Sequence, residues 1–118
     1  WVWFSMKFNE YQEKIKVTDK SGDAQRLLGH PINYYMYGIV GEIGEVFEKT
    51  KKLFRDHKGV PDEVFKTEIT KELGDVLWYL TRYASFFDIN LDDVAVGNLE
   101  KLLKRLKEGK IHGSGDNR

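Results

Sequence analysis

The sequence contains no cysteine among its 118 residues. It therefore has no disulfide framework, no zinc–thiolate site and no thiol nucleophile. This composition fits a reducing compartment, and we expect a cytoplasmic protein. An excess of charge of one sign is also lacking, because 19 Lys and Arg balance 19 Asp and Glu. A net charge of zero gives no overall field that would attract DNA or RNA, so we expect neither polymer as a partner.

Long hydrophobic runs are missing as well. No apolar segment approaches the ~18 residues needed to span a bilayer, so we expect no membrane association. Residues 1–5 are mostly apolar, but they lack a basic leading region and are too short for a signal peptide. Because Met6 follows, we interpret residues 1–5 as an upstream or non-native extension. The length predicts a single domain over residues 1–118, large enough to bury a core unaided.

Helical periodicity accounts for most of the chain. Apolar residues recur at the spacing of an amphipathic helix, two prolines stand where new helices would begin, and no segment alternates with the period of a strand. The sequence therefore predicts an all-α bundle of about four helices. The predicted helices cover approximately residues 7–17, 31–54, 61–87 and 91–109, with 18–29 mostly loop and 110–118 a mobile tail.

A pattern of paired acids occurs once on each of the two long helices. Its members are Glu42 with Glu45 and Glu72 with Asp75, three residues apart in each pair and hence on one helical face. If the helices pack antiparallel with these faces opposed, four carboxylates converge and repel each other unless a cation neutralises them. Oxygen ligands without Cys or His select a hard ion, so we expect Mg²⁺, with Mn²⁺ as an alternative.

A glycine separates the two acids in both copies of the pattern, at Gly44 and Gly74. Glycine within a helix costs about 1 kcal/mol relative to alanine, so we expect these glycines to permit close helix approach. Paired acids alone are common on solvated helix faces in a chain with 32% charged residues. The repeated glycine favours a metal site instead. A di-iron bundle would require Glu-x-x-His pairs, and no Glu has His three residues further on.

Residues 41–45, Gly-Glu-Ile-Gly-Glu, and 71–80, Lys-Glu-Leu-Gly-Asp-Val-Leu-Trp-Tyr-Leu, together resemble the MazG-like family of all-α nucleotide pyrophosphohydrolases. That family's signature is Glu-x-x-Glu followed by Glu-x-x-Asp on the next long helix. The resemblance implies magnesium-dependent cleavage of (deoxy)nucleoside triphosphates to monophosphate and pyrophosphate. It also implies a helical homo-oligomer. The 14% aromatic content and the small number of helices agree with a homodimer or a dimer of dimers.

A polar stripe runs along the last predicted helix, opposite its leucines. Asn98, Lys101 and Arg105 form it, at positions i, i+3 and i+7. A solvated face of an amphipathic helix is the simpler interpretation. The resemblance, however, implies that Asn and Lys on this helix contact phosphates, so we expect Asn98, Lys101 and Arg105 to bind substrate. Relatives often carry an aromatic residue and proline after this arginine, whereas this chain has Leu106 and Lys107.

Two aromatic residues follow the second acidic pair. Tyr79 lies one turn beyond Asp75 on the same face, and we expect its ring to cover the base or sugar of the substrate. Trp78 faces elsewhere on the helix, which predicts a place in the core or in a subunit interface. Glu45 is our candidate for the catalytic base, although four acids in one cluster do not distinguish a ligand from a base.

Two alternative functions stay open at this stage. One is a non-catalytic helical interaction module whose acids hold a structural cation or bridge to a partner. The other keeps the enzyme class but makes phosphoribosyl-ATP the substrate. Assays of hydrolysis with Mg²⁺ separate the first from an enzyme, and a substrate screen separates the second from a nucleoside triphosphate pyrophosphohydrolase.

Overall fold

A computed structural model of the chain describes residues 5–116. These residues form five α-helices and no strand, so the prediction of an all-α fold is confirmed. The helices are α1 (Phe8–Lys14), α2 (Gly22–Leu27), α3 (Pro31–His57), α4 (Glu63–Phe86) and α5 (Leu91–Lys107), and a 3₁₀ turn (Ile15–Thr18) continues α1. Nearly all of the predicted extension at residues 1–5 lies outside the described residues.

Side-chain caps explain where the long helices begin. The His30 imidazole Nδ1 accepts a hydrogen bond from the Ile32 N–H at 3.2 Å, just ahead of α3. Asp62 accepts from the Phe65 N–H at 2.8 Å and starts α4. Asn90 caps α5 in the same way. Each cap satisfies backbone donors that have no partner within the helix, and the helix therefore begins at that residue.

α3 and α4 form an antiparallel hairpin that contains most of the packing in the chain. Lys58 and Gly59 connect them in the left-handed region, with φ of 56° and 75°, and reverse the chain within a few residues. Lys49 lies beside Glu72 near this turn, and Tyr35 contacts Trp78 further away. Residue numbers therefore fall along α3 as they rise along α4, as the predicted opposition of the acidic faces requires.

The segment predicted as mostly loop, residues 18–29, contains helix α2, so that prediction was wrong for Gly22–Leu27. Gln25 donates hydrogen bonds to the Ser21 hydroxyl at 2.8 Å and to the Tyr35 hydroxyl at 3.0 Å. The hydrogen bond to Tyr35 attaches α2 to α3, although the six residues of α2 carry no apolar stripe. A short helix stabilised in this way leaves no periodic signal in the sequence.

The two glycines between the paired acids do not serve close helix packing, contrary to the prediction. Apart from its chain neighbours and the backbone of its own helix, a Cβ built on Gly44 or Gly74 has no atom of residues 5–116 within 4 Å. The close approach of α3 and α4 occurs at Gly38, where a Cβ would come within 2.2 Å of the Tyr79 ring. The tight contact between α3 and α4 at a glycine therefore lies one turn before Glu42 and not between the paired acids.

Much apolar surface of the single chain is uncovered. Among residues 5–116 few hydrophobic side chains are buried, namely Ile15, Tyr35, Leu53, Ala84 and Leu91. Exposed apolar side chains follow one edge of each long helix, at Met36, Val40, Phe47 and Phe54 on α3, Leu73 and Leu80 on α4, and Leu99, Leu103 and Leu106 on α5. None of the helices within residues 5–116 is both long and apolar enough to cross a bilayer.

Candidate active site

Three carboxylates converge between α3 and α4. One ligand oxygen from each of Glu42, Glu72 and Asp75 lies within 4.8 Å of the others. Glu42 and Glu72 are partly buried and Asp75 is exposed. The antiparallel hairpin produces this cluster, because it places the first acid of α3 opposite the acidic pair of α4. Three of the four predicted metal ligands are therefore brought together.

The electrostatics of the cluster favour a bound cation. Partial burial of Glu42 and the negative charges of Asp75, Glu72 and Glu45 raise the pKa of its carboxyl above the ordinary value, because the ionised form is poorly solvated and repelled. A divalent cation would relieve this repulsion. Since the donor atoms are all carboxylate oxygens, the residues fit a hard ion such as Mg²⁺ better than a soft one.

Glu45, the fourth predicted ligand and the predicted base, lies at the edge of the cluster. It is exposed on α3 and is not part of the group within 4.8 Å. Its charge nevertheless contributes to the raised pKa of Glu42, one turn earlier. The roles of Glu45 as ligand and as base stay predictions.

Lys49 is a charged residue of this region that the sequence interpretation missed. Its ammonium group lies 3.5 Å from Glu72 and 3.8 Å from Glu68, and the side chain is 29% exposed. It therefore supplies one positive charge beside the three acids. Its spacing of seven residues from Glu42 places it on the same face of α3, which is the signal that could have identified it.

A cavity of about 290 Å³ opens beside the carboxylates, lined by Thr18, Glu42, Asp75, Trp78 and Tyr79. The prediction that Trp78 points away from the site is therefore wrong. Its indole N–H donates a hydrogen bond to the Thr18 hydroxyl at 2.8 Å, which turns the ring towards the 3₁₀ turn. The helical wheel of α4 alone could not show this, because the partner is 60 residues earlier in the chain.

Tyr79 lies in the same cavity wall, next to the acids, as its position on α4 predicted. Its ring packs against Gly38 and meets the Trp78 ring edge to face at a centroid distance of 4.9 Å. Burial and a hydrogen bond with Tyr34 raise the pKa of its hydroxyl to about 12, so the group stays protonated near neutral pH. Its contact with a base or sugar stays a prediction.

A buried polar cluster lies next to Thr18 of the cavity wall, and the sequence interpretation did not identify it. The Asp19 side chain is 7% exposed and accepts hydrogen bonds from the Tyr35 hydroxyl at 2.6 Å and from Arg82 at 2.9 Å. Burial raises the pKa of Asp19, but hydrogen bonds from Ser21, Tyr35 and Arg82 outweigh it and lower the pKa to about 2. Because Asp19 follows Thr18 directly, this cluster fixes the turn that orients Trp78.

The predicted phosphate stripe lies on α5, which packs mainly against α1. Asn98 is exposed, and Lys101 and Arg105 form ion pairs with Asp116 of the tail rather than with the acidic cluster. Arg105 is 5% exposed, so the C-terminal part of the stripe is buried, and the simpler interpretation of a solvated face does not hold at this residue. The opposite face of α5 is uncovered, since Leu103 is 55% exposed.

Comparison with known proteins decides the family. The MazG nucleotide pyrophosphohydrolase domain matches residues 31–109, about two thirds of the chain. The chain belongs to the MazG family. It is also similar to the Gene 37 protein of Mycobacterium phage L5, with 42% identity over 98 residues that cover 83% of this chain and 84% of the relative. No solved structure matches the chain significantly.

The MazG match contains α3, α4 and α5, and therefore every residue predicted for the site. The Thr18 and Asp19 turn that supports the cavity lies before the matched region. The tail that carries Asp116 lies after it. The MazG region thus supplies the acids and the cationic stripe, while flanking segments shape the cavity and cover Arg105.

Proposed function

We propose that this chain hydrolyses (deoxy)nucleoside triphosphates to nucleoside monophosphate and pyrophosphate in a magnesium-dependent reaction that removes unwanted nucleotides from the pool. One observation carries the proposal: Glu42, Glu72 and Asp75 converge within 4.8 Å inside a region that matches the MazG nucleotide pyrophosphohydrolase domain. A solvated acidic face would not be expected to bring carboxylates of two helices together against their repulsion.

Glu42, Glu45, Glu72 and Asp75 would hold Mg²⁺, and Mn²⁺ fits the same oxygen donors. When bound, the metal would neutralise charge on the triphosphate and lower the pKa of a water molecule. The raised pKa of Glu42 supports this assignment, because the free cluster carries more negative charge than its surroundings stabilise.

The chain's own residues then divide the remaining tasks. Glu45 is exposed beside the cluster, where a carboxylate can take a proton from the attacking water. Tyr79 lines the cavity next to the acids and would cover the base or sugar. Asn98, Lys101 and Arg105 would contact the phosphates. Direct attack by water is the simplest mechanism, because it needs no covalent intermediate and the sequence lacks cysteine.

We further propose a homodimer or a dimer of dimers. The exposed apolar side chains of α3, α4 and α5 support this, because a second copy of the chain would cover apolar surface that the single chain leaves open to water. Neither DNA nor RNA is expected as a partner, and the cytoplasmic location stays a prediction from composition.

The test is a screen of dNTPs, NTPs and phosphoribosyl-ATP, with detection of pyrophosphate and with Mg²⁺ or a chelator present. We expect pyrophosphate and a monophosphate from at least one nucleoside triphosphate, and none with the chelator. Hydrolysis of phosphoribosyl-ATP alone would replace the proposed substrate class. No turnover of any substrate would favour the interaction module.

A further inference from the structure

The tail after α5 folds back onto the cationic stripe. Gly109, with φ of 69°, follows the end of α5, and the Lys110 N–H donates to the Arg105 carbonyl at 2.7 Å. Further along, the Gly115 carbonyl accepts from the Arg105 guanidinium at 3.2 Å. The tail therefore returns to the same arginine that it leaves, and it brings Asp116 over the stripe.

A single carboxylate oxygen of Asp116 accepts from both cations. Lys101 Nζ and Arg105 Nη2 each lie 3.1 Å from Asp116 Oδ1. Both cations lower the pKa of Asp116, so the carboxyl is ionised near neutral pH. The stripe is thus a place where an anionic group is bound, and in this structure that anion belongs to the chain itself.

The Asp116 carboxylate leaves one N–H group of the Arg105 guanidinium without a hydrogen bond in the described part of the chain. Arg105 is 5% exposed, and its buried Nε has no hydrogen-bond partner within residues 5–116. A guanidinium presents five N–H donors in a planar fork that suits an anion with several oxygens. A phosphoryl group offers more acceptor oxygens than the one that Asp116 presents, so it could engage Lys101 and Arg105 on separate oxygens.

We propose that Lys101 and Arg105 form a phosphate subsite whose internal occupant is Asp116, and that a polyphosphate displaces this carboxylate and releases the tail. The proposal rests on the assignment of these two cations to phosphates in the proposed function. Asp116 then acts as an intramolecular competitor of the substrate, and the tail responds to occupation of the site.

The exposure of Asp116 determines how strongly its carboxylate competes with a polyphosphate. Its side chain is 79% exposed, and ion pairs of exposed groups are weak because water screens them. Displacement is therefore easy. Removal of the competing charge should tighten polyphosphate binding by about two- to tenfold, not by orders of magnitude.

The experiment titrates the full chain with inorganic pyrophosphate in a chelating buffer, followed by amide NMR, so that metal at the acidic cluster does not contribute. Asp116→Asn keeps the shape of the side chain and removes its charge. Glu108→Gln is the matched control, because this acid of the same region pairs with Lys110 instead of the stripe. Asp116→Asn should bind pyrophosphate about two- to tenfold more tightly than the wild type, whereas Glu108→Gln should bind equally.

Release of the tail is read separately. Since the sequence has no cysteine, Ser114→Cys gives a single site for a fluorescent label. The anisotropy of the label should fall as pyrophosphate is added. Equal affinity of Asp116→Asn and wild type, no detectable pyrophosphate binding, or an unchanged anisotropy at saturation would each overturn the proposal.

These outcomes are independent of hydrolysis. If pyrophosphate displaces Asp116 but no nucleotide is hydrolysed, the proposed function fails and the internal competitor stands. If nucleotides are hydrolysed normally while Asp116→Asn and Glu108→Gln both behave like the wild type, only the internal competitor fails.

Discussion

The ring of Tyr79 lies directly against Gly38: a Cβ on this glycine would come within 2.2 Å of two ring carbons. The side chain of α4 that fills the space beside a glycine of α3 is therefore the Tyr79 ring at Gly38, and no α4 side chain lies in this way against Gly44. The contact fixes the Tyr79 ring beside Glu42 and Asp75, which line the same cavity. Gly38 thus acts on the site through Tyr79.

Gly38→Ala should displace the Tyr79 ring. Overpacking of this kind costs about 1–3 kcal/mol, and the better helix propensity of alanine returns up to about 1 kcal/mol. We expect a net loss of unfolding free energy of about 1 kcal/mol and a raised KM for nucleotide. Urea unfolding and steady-state kinetics measure the two effects.

Gly41→Ala is the control, one turn further along α3. Beyond its chain neighbours and the backbone of α3, a Cβ there has no atom of the described residues within 4 Å, so this variant should be as stable as the wild type or more stable. If Gly38→Ala were equally well tolerated, the contact with Tyr79 would not constrain the ring.

Asp19→Asn should destabilise the fold at neutral pH. The folded-state pKa of Asp19 is about 2, against an ordinary value of 3.8, because hydrogen bonds from Ser21, Tyr35 and Arg82 outweigh burial. A depressed pKa means that the stabilisation is present above pH 3.8 and is lost as the pH falls towards 2. We expect a loss of about 2 kcal/mol in unfolding free energy at pH 7. The difference from the wild type should shrink between pH 4 and pH 2.

Asp56→Asn removes an exposed carboxylate that pairs with its neighbour Arg55, and it serves as the control. This substitution should hardly change the unfolding free energy, since exposed pairs contribute little. A pH-independent difference between Asp19→Asn and the wild type would show that the carboxylate charge is not what stabilises the turn.

Substitutions in the phosphate stripe of Asn98, Lys101 and Arg105 should lower triphosphate hydrolysis by different amounts. Lys101→Ala should impair triphosphate hydrolysis and leave Mg²⁺ binding largely unchanged, because the acids lie on other helices. Asn98→Ala should weaken the same step less, since it removes a neutral hydrogen bond instead of a charge-assisted one. Enzyme kinetics and metal titration on each variant separate the two effects.

Lys104 controls for diffuse charge, because the helix turns it roughly 60° away from Lys101. Lys104→Ala should hardly change triphosphate hydrolysis. Equal losses in Lys101→Ala, Asn98→Ala and Lys104→Ala, with the differences removed by added salt, would contradict specific phosphate contacts.

The uncovered apolar edges predict assembly. Light scattering at micromolar concentration should give twice or four times the 13.8 kDa mass of one chain. A mass of one chain at that concentration would be incompatible with the proposed dimer or dimer of dimers.

The sequence was informative wherever local chemistry and periodicity act together. The two prolines, Pro31 and Pro61, indicated the starts of α3 and α4 to within two residues, because proline suits the first turn of a helix. The paired acids were recognisable because equal spacing on two neighbouring helices makes their faces meet. The pattern predicted four converging carboxylates, and three of them, Glu42, Glu72 and Asp75, lie together, whereas Glu45 lies at the edge of the cluster.

Features that depend on contacts distant in sequence were not predictable in this way. Trp78 joins the cavity through Thr18, and Asp19 is buried by Arg82, 63 positions later. A helical wheel shows the residues of one helix only, so it cannot show that Trp78 contacts Thr18 or that Arg82 contacts Asp19. The tail shows the same limit, since only the folded chain places Asp116 against Lys101 and buries Arg105.

The central claim is that carboxylates of α3 and α4 bind the metal for hydrolysis, and it is tested most directly by kcat with Mg²⁺ in Glu72→Gln and Asp75→Asn. Each should lose at least about 100-fold in turnover with the helical fold intact, because each removes a ligand charge. Thermal stability without metal should hold or rise in Asp75→Asn, since repulsion is relieved, whereas Glu72→Gln also loses the ion pair with Lys49. Glu68→Gln, one turn before Glu72 and outside the cluster, should keep near-normal turnover. Near-wild-type turnover in Glu72→Gln or Asp75→Asn would contradict the claim.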